Sequence, residues 1–305
     1  MHRRWLVAGA LALLGSGCAG LPLQVHADFA PAHGAIHPVD ARLHQLAGPR
    51  LRDSLQISGP WQVAGEGFMT PALAQVTDRD PSGLNDPGHG YLRLSTVRDG
   101  ARTLAGEVMS DGDPGPGPGY YETRMVVDPE HRAGGALSFF WIEAHDPSGP
   151  GLTGAGYGPR EIDIEFLANE DWATHPDQPG YVHFTLHPAN VSWRQPLPFN
   201  PSTGYHRYGF LWIGAKVVFT VDGAPVHTLT DPALATPARH GGWMMANVWS
   251  GAPTWGGPSP AQPVSAIYNR MDYRGGATRI IAAGAPVRHR YKDRATALDL
   301  AGHRA

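Results

Sequence analysis

The sequence predicts an all-β fold, a jelly-roll β-sandwich of two antiparallel sheets. From about Ser54 onward, short apolar segments of strand length alternate with turn residues. The 305 residues include 39 glycines and 29 prolines, which leaves little room for long helices and suits many short strands joined by turns. Hydrophobic residues make up 42% of the chain and charged residues 17%, so a packed core is expected and extensive disorder is not.

The strand-length segments account for most of the predicted sheets. They are residues 91–94, 120–127, 136–142, 161–167, 181–186, 208–213 and 216–221. Asp222 and Gly223 separate the last of these from another apolar run, and an Asp-Gly pair in this position predicts a tight hairpin. Residues 111–119 consist of Asp, Gly and Pro, which favours a rigid loop because this composition suits neither helix nor strand.

The first 18 residues have the pattern of an export signal. Arg3 and Arg4 precede an apolar run at residues 5–14 that is too short to span a bilayer. The only cysteine, Cys18, follows small residues, as in a bacterial lipoprotein leader, whose cysteine is lipidated after cleavage. An ordinary secretory peptide is the alternative. Both interpretations place the protein outside the cytoplasm, lipid-anchored in the periplasm or at the cell surface, or else secreted.

The remaining chain is predicted to hold one domain. A tether at residues 19–50 would lead into a domain at 51–275, followed by a C-terminal extension at 276–305. The formal net charge of −3 does not favour a nucleic-acid partner, which would need a concentrated basic face. We expect a monomer that contacts a membrane only through a lipid on Cys18.

One strand carries three acidic residues on the same face. Residues 161–166 read Glu-Ile-Asp-Ile-Glu-Phe. Because successive side chains on a strand point to opposite faces, Glu161, Asp163 and Glu165 lie together while the apolar side chains face the core. Like charges on one face destabilise a strand and raise one another's pKa. Such crowding is expected where pKa tuning serves chemistry.

The spacing of the two glutamates favours a particular reaction. Their Cα atoms are roughly 13 Å apart on an extended strand, so carboxyls leaning toward each other approach to about 5–6 Å. That separation suits a retaining glycosidase, in which one carboxylate attacks and the other protonates the leaving oxygen. Asp163 could hydrogen-bond the nucleophile. Two alternatives remain, a Ca²⁺ site and a solvated acidic edge strand.

Several segments resemble those of glycoside hydrolase family 16. Glu161 to Phe166 match the E-I-D-I-E-F strand of its bacterial lichenases. Similar segments follow the family order over roughly residues 100–275: YYETRM at 120–125, LSFFW at 137–141, YHRYGFLW at 205–212, FTVDG at 219–223 and WMMANVWS at 243–250. The resemblance implies a concanavalin A-like jelly roll with a concave sheet, a sugar cleft and a polysaccharide substrate.

The resemblance also implies roles for single residues. Glu161 would be the nucleophile, Glu165 the general acid/base and Asp163 the assistant. The expected substrate-binding residues are Glu122, Arg124, Asn247 and Trp249 near the glycone, Trp255 stacking on a sugar ring, and His187 contacting the acceptor sugar or tuning Glu165.

The chain also departs from the lichenase pattern. His183, Thr185 and His187 replace amide and tyrosine side chains, which leaves the carboxylates intact and the substrate open. Catalysis is expected to need no cofactor and no catalytic metal. The family often holds a structural Ca²⁺, but Asn269 occupies the position of the usual aspartate, which weakens that expectation.

These observations lead to one preferred function and three alternatives. The preferred function is a retaining endo-β-glycanase acting on a glucan-like polysaccharide of the β-1,3-1,4-glucan type. The first alternative is an exopolysaccharide-processing glycanase or transglycosylase. The second is a non-catalytic carbohydrate-binding jelly roll, since a fold does not imply a function. The third is a structural envelope lipoprotein with bound calcium.

Overall fold

A computed structural model describes residues 67–280 except 88–89, 111–115, 145–156, 237 and 251, together with the backbone of four short strands before residue 67. Cys18, the rest of the leader, most of the tether and residues 281–305 lie outside the described residues. Within the described part, no helix is long and apolar enough to cross a membrane.

The described residues form eighteen strands and three short 3₁₀ helices. The strands are β1 Gln24–Ala27, β2 His37–Pro38, β3 Leu55–Ile57, β4 Trp61–Gln62, β5 Gly67–Met69, β6 Ala74–Thr77, β7 Tyr91–Asp99, β8 Arg102–Ser110, β9 Gly119–Val127, β10 Ala136–Ala144, β11 Tyr157–Leu167, β12 Tyr181–His187, β13 Val191–Pro196, β14 His206–Ile213, β15 Lys216–Val221, β16 Ala224–Thr230, β17 Gly242–Trp249 and β18 Ser265–Gly275. The 3₁₀ helices are Pro71–Leu73, Asp171–Ala173 and Pro232–Ala235.

The strands form two large antiparallel sheets. The cleft sheet has the order β13-β12-β11-β10-β17-β8-β3. The back sheet has the order β16-β15-β14-β9-β18-β7-β6-β2, with β1 also paired to β18. Strand β4 pairs with β5, which runs parallel to β8. The predicted all-β sandwich of antiparallel sheets is confirmed.

The core fills the space between the sheets. Ile162, Ile164 and Phe166 are fully buried on the inner face of β11, as the alternation predicts. Across the core, the ring of Phe184 from the cleft sheet stacks on Phe219 from the back sheet, with centroids 4.2 Å apart. Such aromatic contacts stabilise the sandwich by about 0.5–1.5 kcal/mol beyond area burial. The core therefore fixes which face of β11 carries the acidic side chains.

The predicted hairpin is confirmed. Asp222 and Gly223 join β15 to β16 and have φ angles of 49° and 80°. Positive φ at both central residues is the requirement of a type I′ turn, and Asp-Gly meets it at little steric cost.

The loop predicted at residues 111–119 ends one residue earlier than expected. Gly119 is the first residue of β9 and pairs with both Trp212 and Gly275. A Cβ atom at this position would lie 2.4 Å from the backbone oxygen of Arg274. A side chain at this position would clash with the neighbouring strand. Glycine avoids the clash, so β9 can begin at Gly119.

Asp128 is a buried carboxylate that makes the fold sensitive to pH. Burial raises its pKa to about 7, although its Oδ2 accepts a hydrogen bond from the backbone N–H of Arg132. A carboxyl pKa raised by folding means that stability is highest at acid pH and falls as pH rises from about 4 to about 7. Its φ of 43° is a conformation that asparagine tolerates as well.

Asp128→Asn is therefore expected to raise Tm at pH 8 by at least about 2–4 °C, with the gain shrinking toward pH 4. Thermal denaturation followed by circular dichroism at both pH values measures this difference. Asp99→Asn, at an exposed position at the end of β7, serves as the control. An equal Tm gain at pH 4 and pH 8 would contradict the assignment to Asp128 ionisation.

Candidate active site

Three neighbouring strands of the cleft sheet form the outer face that carries the predicted acidic side chains. The central strand β11 carries Glu161, Asp163 and Glu165 on this face. Opposite them on β10 lie Ile142, Phe140 and Ser138, and opposite them on β12 lie His187, Thr185 and His183. The alternation that buries the isoleucines of β11 therefore directs its carboxylates to the outer face.

These carboxylates lie in a cavity of about 510 Å³ on the outer face of the cleft sheet. The cavity lining contains seven of the nine residues predicted for catalysis and substrate binding: Glu161, Asp163, Glu165, His187, Asn247, Trp249 and Trp255. The structure thus brings together side chains from β11, β12, β17 and the segment after β17.

The prediction that Glu122 and Arg124 face the cleft is wrong. Both lie on β9, which pairs with β14 and β18 of the back sheet and with no strand of the cleft sheet among the described residues. They occupy the face of β9 opposite to its core residues, where Arg124 pairs with Asp86 at 2.6 Å and Glu122 accepts from Tyr120 at 2.8 Å. Strand alternation predicts the face of a residue but does not reveal which sheet contains its strand.

Glu161 and Asp163 form a coupled acidic pair. Their side chains are hydrogen-bonded to each other, and burial together with their mutual repulsion raises the pKa of Glu161 well above its ordinary value. Burial and the charge of Glu165 also raise the pKa of Asp163. Two carboxylates this close resist ionising together, and both effects favour the protonated forms. His187 Nε2 lies 3.4 Å from Asp163 Oδ2 and faces the same pair.

Glu165 has a different environment. Burial raises its pKa, while two donors act in the opposite direction. Trp255 Nε1 donates to Glu165 Oε2 at 2.9 Å, and Ser138 Oγ donates to Oε1 at 3.3 Å. Burial favours the protonated acid, and the two donors stabilise the carboxylate once the proton has left. A group that must first donate a proton and later accept one needs both effects.

Trp255, which was predicted to stack on a sugar, makes several contacts within the protein. Besides donating to Glu165, its ring meets the ring of His183 edge-on, with centroids 5.4 Å apart. The side-chain amide of Asn169 donates to the Trp255 carbonyl oxygen at 3.2 Å. These contacts hold the indole N–H on Glu165, so the residue can position the acid and line the cleft at once.

Glu107 is a cleft residue that sequence reasoning missed. It lies on β8 opposite Asn247, lines the cavity and is almost fully buried. Its Oε2 accepts a hydrogen bond from Asn247 Nδ2 at 3.0 Å. The available signal was one charged residue inside the strand-length apolar run at 104–109, a pattern seldom found without a local partner.

His183 has a hydrogen-bond partner outside the cavity. Its Nε2 lies 3.0 Å from Glu170 Oε1, which also accepts from Arg194 Nε at 2.7 Å. Trp172 Nε1 donates to the other oxygen of Glu170 at 3.0 Å. His183 is thus a hydrogen-bonded polar residue of β12 and is not part of the cavity lining.

A metal ion is the competing interpretation of part of this site. One ligand atom each from Glu161, Asp163 and His187 lies within 4.8 Å of the others. Calcium prefers six to eight oxygen ligands, whereas an imidazole with carboxylates is more typical of zinc. Elsewhere, Asn269 Nδ2 donates to Asp86 Oδ2 at 2.9 Å. Neither observation tests the expectation of a structural calcium.

The fold and the cleft define a class of protein, and comparisons with known proteins identify the family. A jelly roll whose cleft contains the two carboxyl groups of Glu161 and Glu165 has the pair of acidic residues that a glycoside hydrolase uses. Among protein families, Glycosyl hydrolases family 16 matches residues 117–266. The chain belongs to this family of carbohydrate-cleaving enzymes.

Characterised relatives support the same assignment. The chain is 29% identical over 225 residues to a β-glucanase of Paenibacillus polymyxa, a match that covers 71% of this chain and 83% of the relative. It is 31% identical over 135 residues to xyloglucan endotransglucosylase/hydrolase protein 3 of Arabidopsis thaliana, covering 44% of this chain and 42% of that protein.

Solved structures share the fold. The β-glucanase of Bacillus licheniformis superimposes with a TM-score of 0.55 at 22% identity, covering 80% of this chain and 99% of that one. A lichenase derived from a mouse hindgut metagenome gives a TM-score of 0.56 at 19% identity, covering 83% and 99%. These likenesses confirm the predicted jelly roll.

The contact between Trp255 and Glu165 leads to a pH prediction. Trp255→Phe keeps an aromatic ring but removes the N–H that stabilises the Glu165 carboxylate. The pKa of Glu165 is expected to rise, which moves the alkaline limb of the kcat/KM profile upward by roughly one pH unit. Trp249→Phe, which changes another aromatic residue of the same cavity, is the control. An unchanged alkaline limb in Trp255→Phe would show that this hydrogen bond does not tune the acid.

Proposed function

We propose that the protein hydrolyses internal β-glycosidic bonds of a glucan-like polysaccharide, of the β-1,3-1,4-glucan type, by double displacement. The observation that carries the proposal is the placement of three carboxylates from β11 in one cavity with contrasting surroundings. The β-glucanase relative, most of whose length is matched, supports the choice of a glucan.

In the first step, a Glu161 carboxylate oxygen attacks the anomeric carbon of the bound sugar. The glycosidic C–O bond breaks, and Glu165 donates its proton to the leaving oxygen. Glu161 must be ionised to attack, and Asp163 is the group to which it is hydrogen-bonded. For Glu161 to attack as a carboxylate, the proton of this hydrogen bond has to lie on Asp163 while the glycosyl ester forms.

In the second step, Glu165 acts as a base. It takes a proton from a water molecule whose oxygen attacks the anomeric carbon, and the ester bond to Glu161 breaks. The hydrogen bonds from Trp255 and Ser138 stabilise the Glu165 carboxylate at this stage. Two displacements at the same carbon leave the product with the β configuration of the substrate.

The extent of the cavity supports cleavage within a chain. Its lining runs from Glu107 on β8 to Ser192 on β13, across β17, β10, β11 and β12. Five strand spacings amount to roughly 24 Å, which accommodates several sugar units on both sides of the carboxylates. Asn247 and Trp249 contact the glycone side in this proposal, and His187 contacts the acceptor side.

The test is reducing-sugar release from mixed-linkage β-glucan, laminarin, xyloglucan and bacterial exopolysaccharides. Mixed-linkage β-glucan is expected to lose viscosity early in the reaction, and Glu161→Gln is expected to be inactive. Activity that survives EDTA separates the carboxylate mechanism from a metal held by Glu161, Asp163 and His187. Binding without turnover by the wild-type protein would favour the carbohydrate-binding alternative and contradict the proposal.

The lengths of the products distinguish hydrolysis from transfer of the bound sugar to an acceptor oligosaccharide. The match to a xyloglucan endotransglucosylase/hydrolase favours including an acceptor oligosaccharide in the assay. If sugar reaches the glycosyl-enzyme more readily than water does, products longer than the donor fragments accumulate. Hydrolysis predicts that such products stay minor as the acceptor concentration increases.

We also propose that this reaction takes place outside the cytoplasm, with the protein held at a membrane by a lipid on Cys18. The leader-like pattern of residues 1–18 supports this location. Expression of the full chain in a bacterium, followed by fractionation, is expected to recover it with membranes. Cys18→Ser is expected to abolish that association; membrane recovery of Cys18→Ser would contradict lipidation at this residue.

A further inference from the structure

His183 lies beside Glu165 on the cleft face of the sheet but does not line the cavity. It is the register partner of Glu165 on β12 and shares its face with Thr185 and His187. Its side chain is only 11% exposed. A nearly buried imidazole in this place can act on Glu165 only through another residue or through its charge.

Trp255, which donates a hydrogen bond to Glu165, lies on the loop after β17 and not on a strand. Its backbone N–H donates to the Ala252 carbonyl oxygen at 2.9 Å, and its own carbonyl accepts from Asn169. These bonds hold the backbone but leave the side-chain torsions free. The indole meets the ring of His183 edge-on, with centroids 5.4 Å apart and planes at 70°. This is a preferred geometry for aromatic pairs, so the contact fixes the direction of the indole N–H.

Glu170 holds the ring of His183 in place. His183 Nε2 lies 3.0 Å from Glu170 Oε1, and the two side chains are only 11% and 13% exposed. Burial alone would raise the pKa of Glu170, but the hydrogen bond and charge of His183, together with Trp172 and Arg194, lower it below its ordinary value. Glu170 is therefore a carboxylate at neutral pH and only accepts, so His183 Nε2 carries the proton of this hydrogen bond.

We propose that His183 is a positioning residue for Glu165 that acts through Trp255, and that Glu170 anchors it. Each member of the series Glu170, His183 and Trp255 fixes the next, and the last donates to Glu165 Oε2. The inference rests on the proposed function, because it takes Glu165 to be the general acid/base. His183 itself contacts neither the sugar nor the reacting atoms.

The charge of His183 is the competing route to Glu165. Burial raises the pKa of Glu165, and the donors Trp255 and Ser138, followed by the charges of His183 and His187, act in the opposite direction. An effect of charge alone would not need the Trp255 ring, and every substitution that removes the imidazole would produce it equally. The charged or titratable groups that face Glu165 or His183 are Glu161, Asp163, Glu170, His187 and Arg194.

The test is the pH dependence of kcat/KM on mixed-linkage β-glucan in His183→Leu, which fills the space without an aromatic edge. The indole is then free to turn away from Glu165, whose carboxylate loses stabilisation and whose pKa rises. The alkaline limb is expected to move upward by roughly half a pH unit, less than in Trp255→Phe. Adding His183→Leu to Trp255→Phe is expected to give no further shift, because the N–H that His183 positions is already absent.

His183→Phe is the matched variant, because it also removes the imidazole charge but keeps an aromatic edge for Trp255. It is expected to recover more than half of the shift seen in His183→Leu. His175→Ala is the control; it removes an exposed imidazole whose Nδ1 lies 3.0 Å from the Asp171 carbonyl oxygen, and its profile should equal that of the wild type. The Tm of every variant is recorded. If His183→Leu does not fold, His183→Gln replaces it, since its amide can still donate to Glu170 but has no ring.

Three results would overturn the inference. They are an unchanged alkaline limb in His183→Leu, equal shifts in His183→Leu and His183→Phe, and a further shift when His183→Leu is added to Trp255→Phe. The last two would assign the effect to charge instead of position.

Failure of this inference is distinct from failure of the proposed function. If the proposed function fails, the wild-type protein releases no reducing sugar from any polysaccharide. If only the positioning role fails, the wild-type protein is active and one of those three results is found in the variants.

Discussion

Glu161→Ala is expected to lower kcat on mixed-linkage β-glucan by a factor on the order of 10⁵, because the covalent route loses its nucleophile. The alanine leaves space beside Asp163 where a small anion fits. Azide is therefore expected to restore cleavage of an activated aryl β-glycoside and to give the α-glycosyl azide by a single displacement. Initial rates and NMR of the product measure both effects.

The Tm of the Glu161 variants is the control, because it shows whether a loss of activity comes from a loss of folding. Burial and repulsion raise the pKa of Glu161 and Asp163, so this pair lowers stability as the pH rises from acid to neutral. Glu161→Gln removes one of the two ionisable groups and is expected to have a higher Tm than wild type at pH 7, with the gap closing toward pH 4. Wild-type kcat in Glu161→Ala would contradict its role as nucleophile.

Glu165→Ala has the second largest expected effect, a loss in kcat of about 10²–10⁴ on the polysaccharide, whose leaving oxygen needs a proton. An aryl glycoside with a good leaving group does not need that proton. With it, the variant is expected to show a rapid burst equal to the enzyme concentration, followed by slow turnover. Azide should accelerate the slow phase and give the β-glycosyl azide.

The variant that shows the burst, and the configuration of the azide product in each variant, test the assignment of roles. If Glu165 were the nucleophile and Glu161 the acid, the burst would appear in Glu161→Ala, and azide would give α and β products in the opposite variants. Ser138→Ala, which removes the weaker donor to Glu165, is expected to affect kcat far less than either glutamate substitution.

The part of the site that lies on one strand could be predicted from the sequence. Alternation along β11 places its three acidic side chains on one face, and two isoleucines and a phenylalanine bury the other. The Asp-Gly hairpin follows from local backbone preferences in the same way. In both cases the relevant contacts lie within a few residues of sequence, where the strand period or turn geometry decides the structure.

The remaining features depend on long-range pairing that a single sequence does not reveal. The face of Glu122 was predictable, but its strand pairs in the back sheet. Glu107 reaches the cleft because β8 pairs with β17, whose Asn247 is 140 residues away. Trp255 contacts Glu165 across 90 residues, and its ring meets His183 of another strand. Pairing of strands and loops decides each of these positions.

Trapping the glycosyl-enzyme tests the central claim most directly. Glu165→Ala is mixed with an activated β-glucan oligosaccharide, quenched in acid during the burst, digested and analysed by peptide mass spectrometry. We expect one oligosaccharide adduct on the peptide that contains Glu161, with fragmentation placing it on that side chain and no adduct in the protein that also carries Glu161→Gln. An adduct on another residue, or turnover with inverted product and no adduct, would contradict double displacement through Glu161.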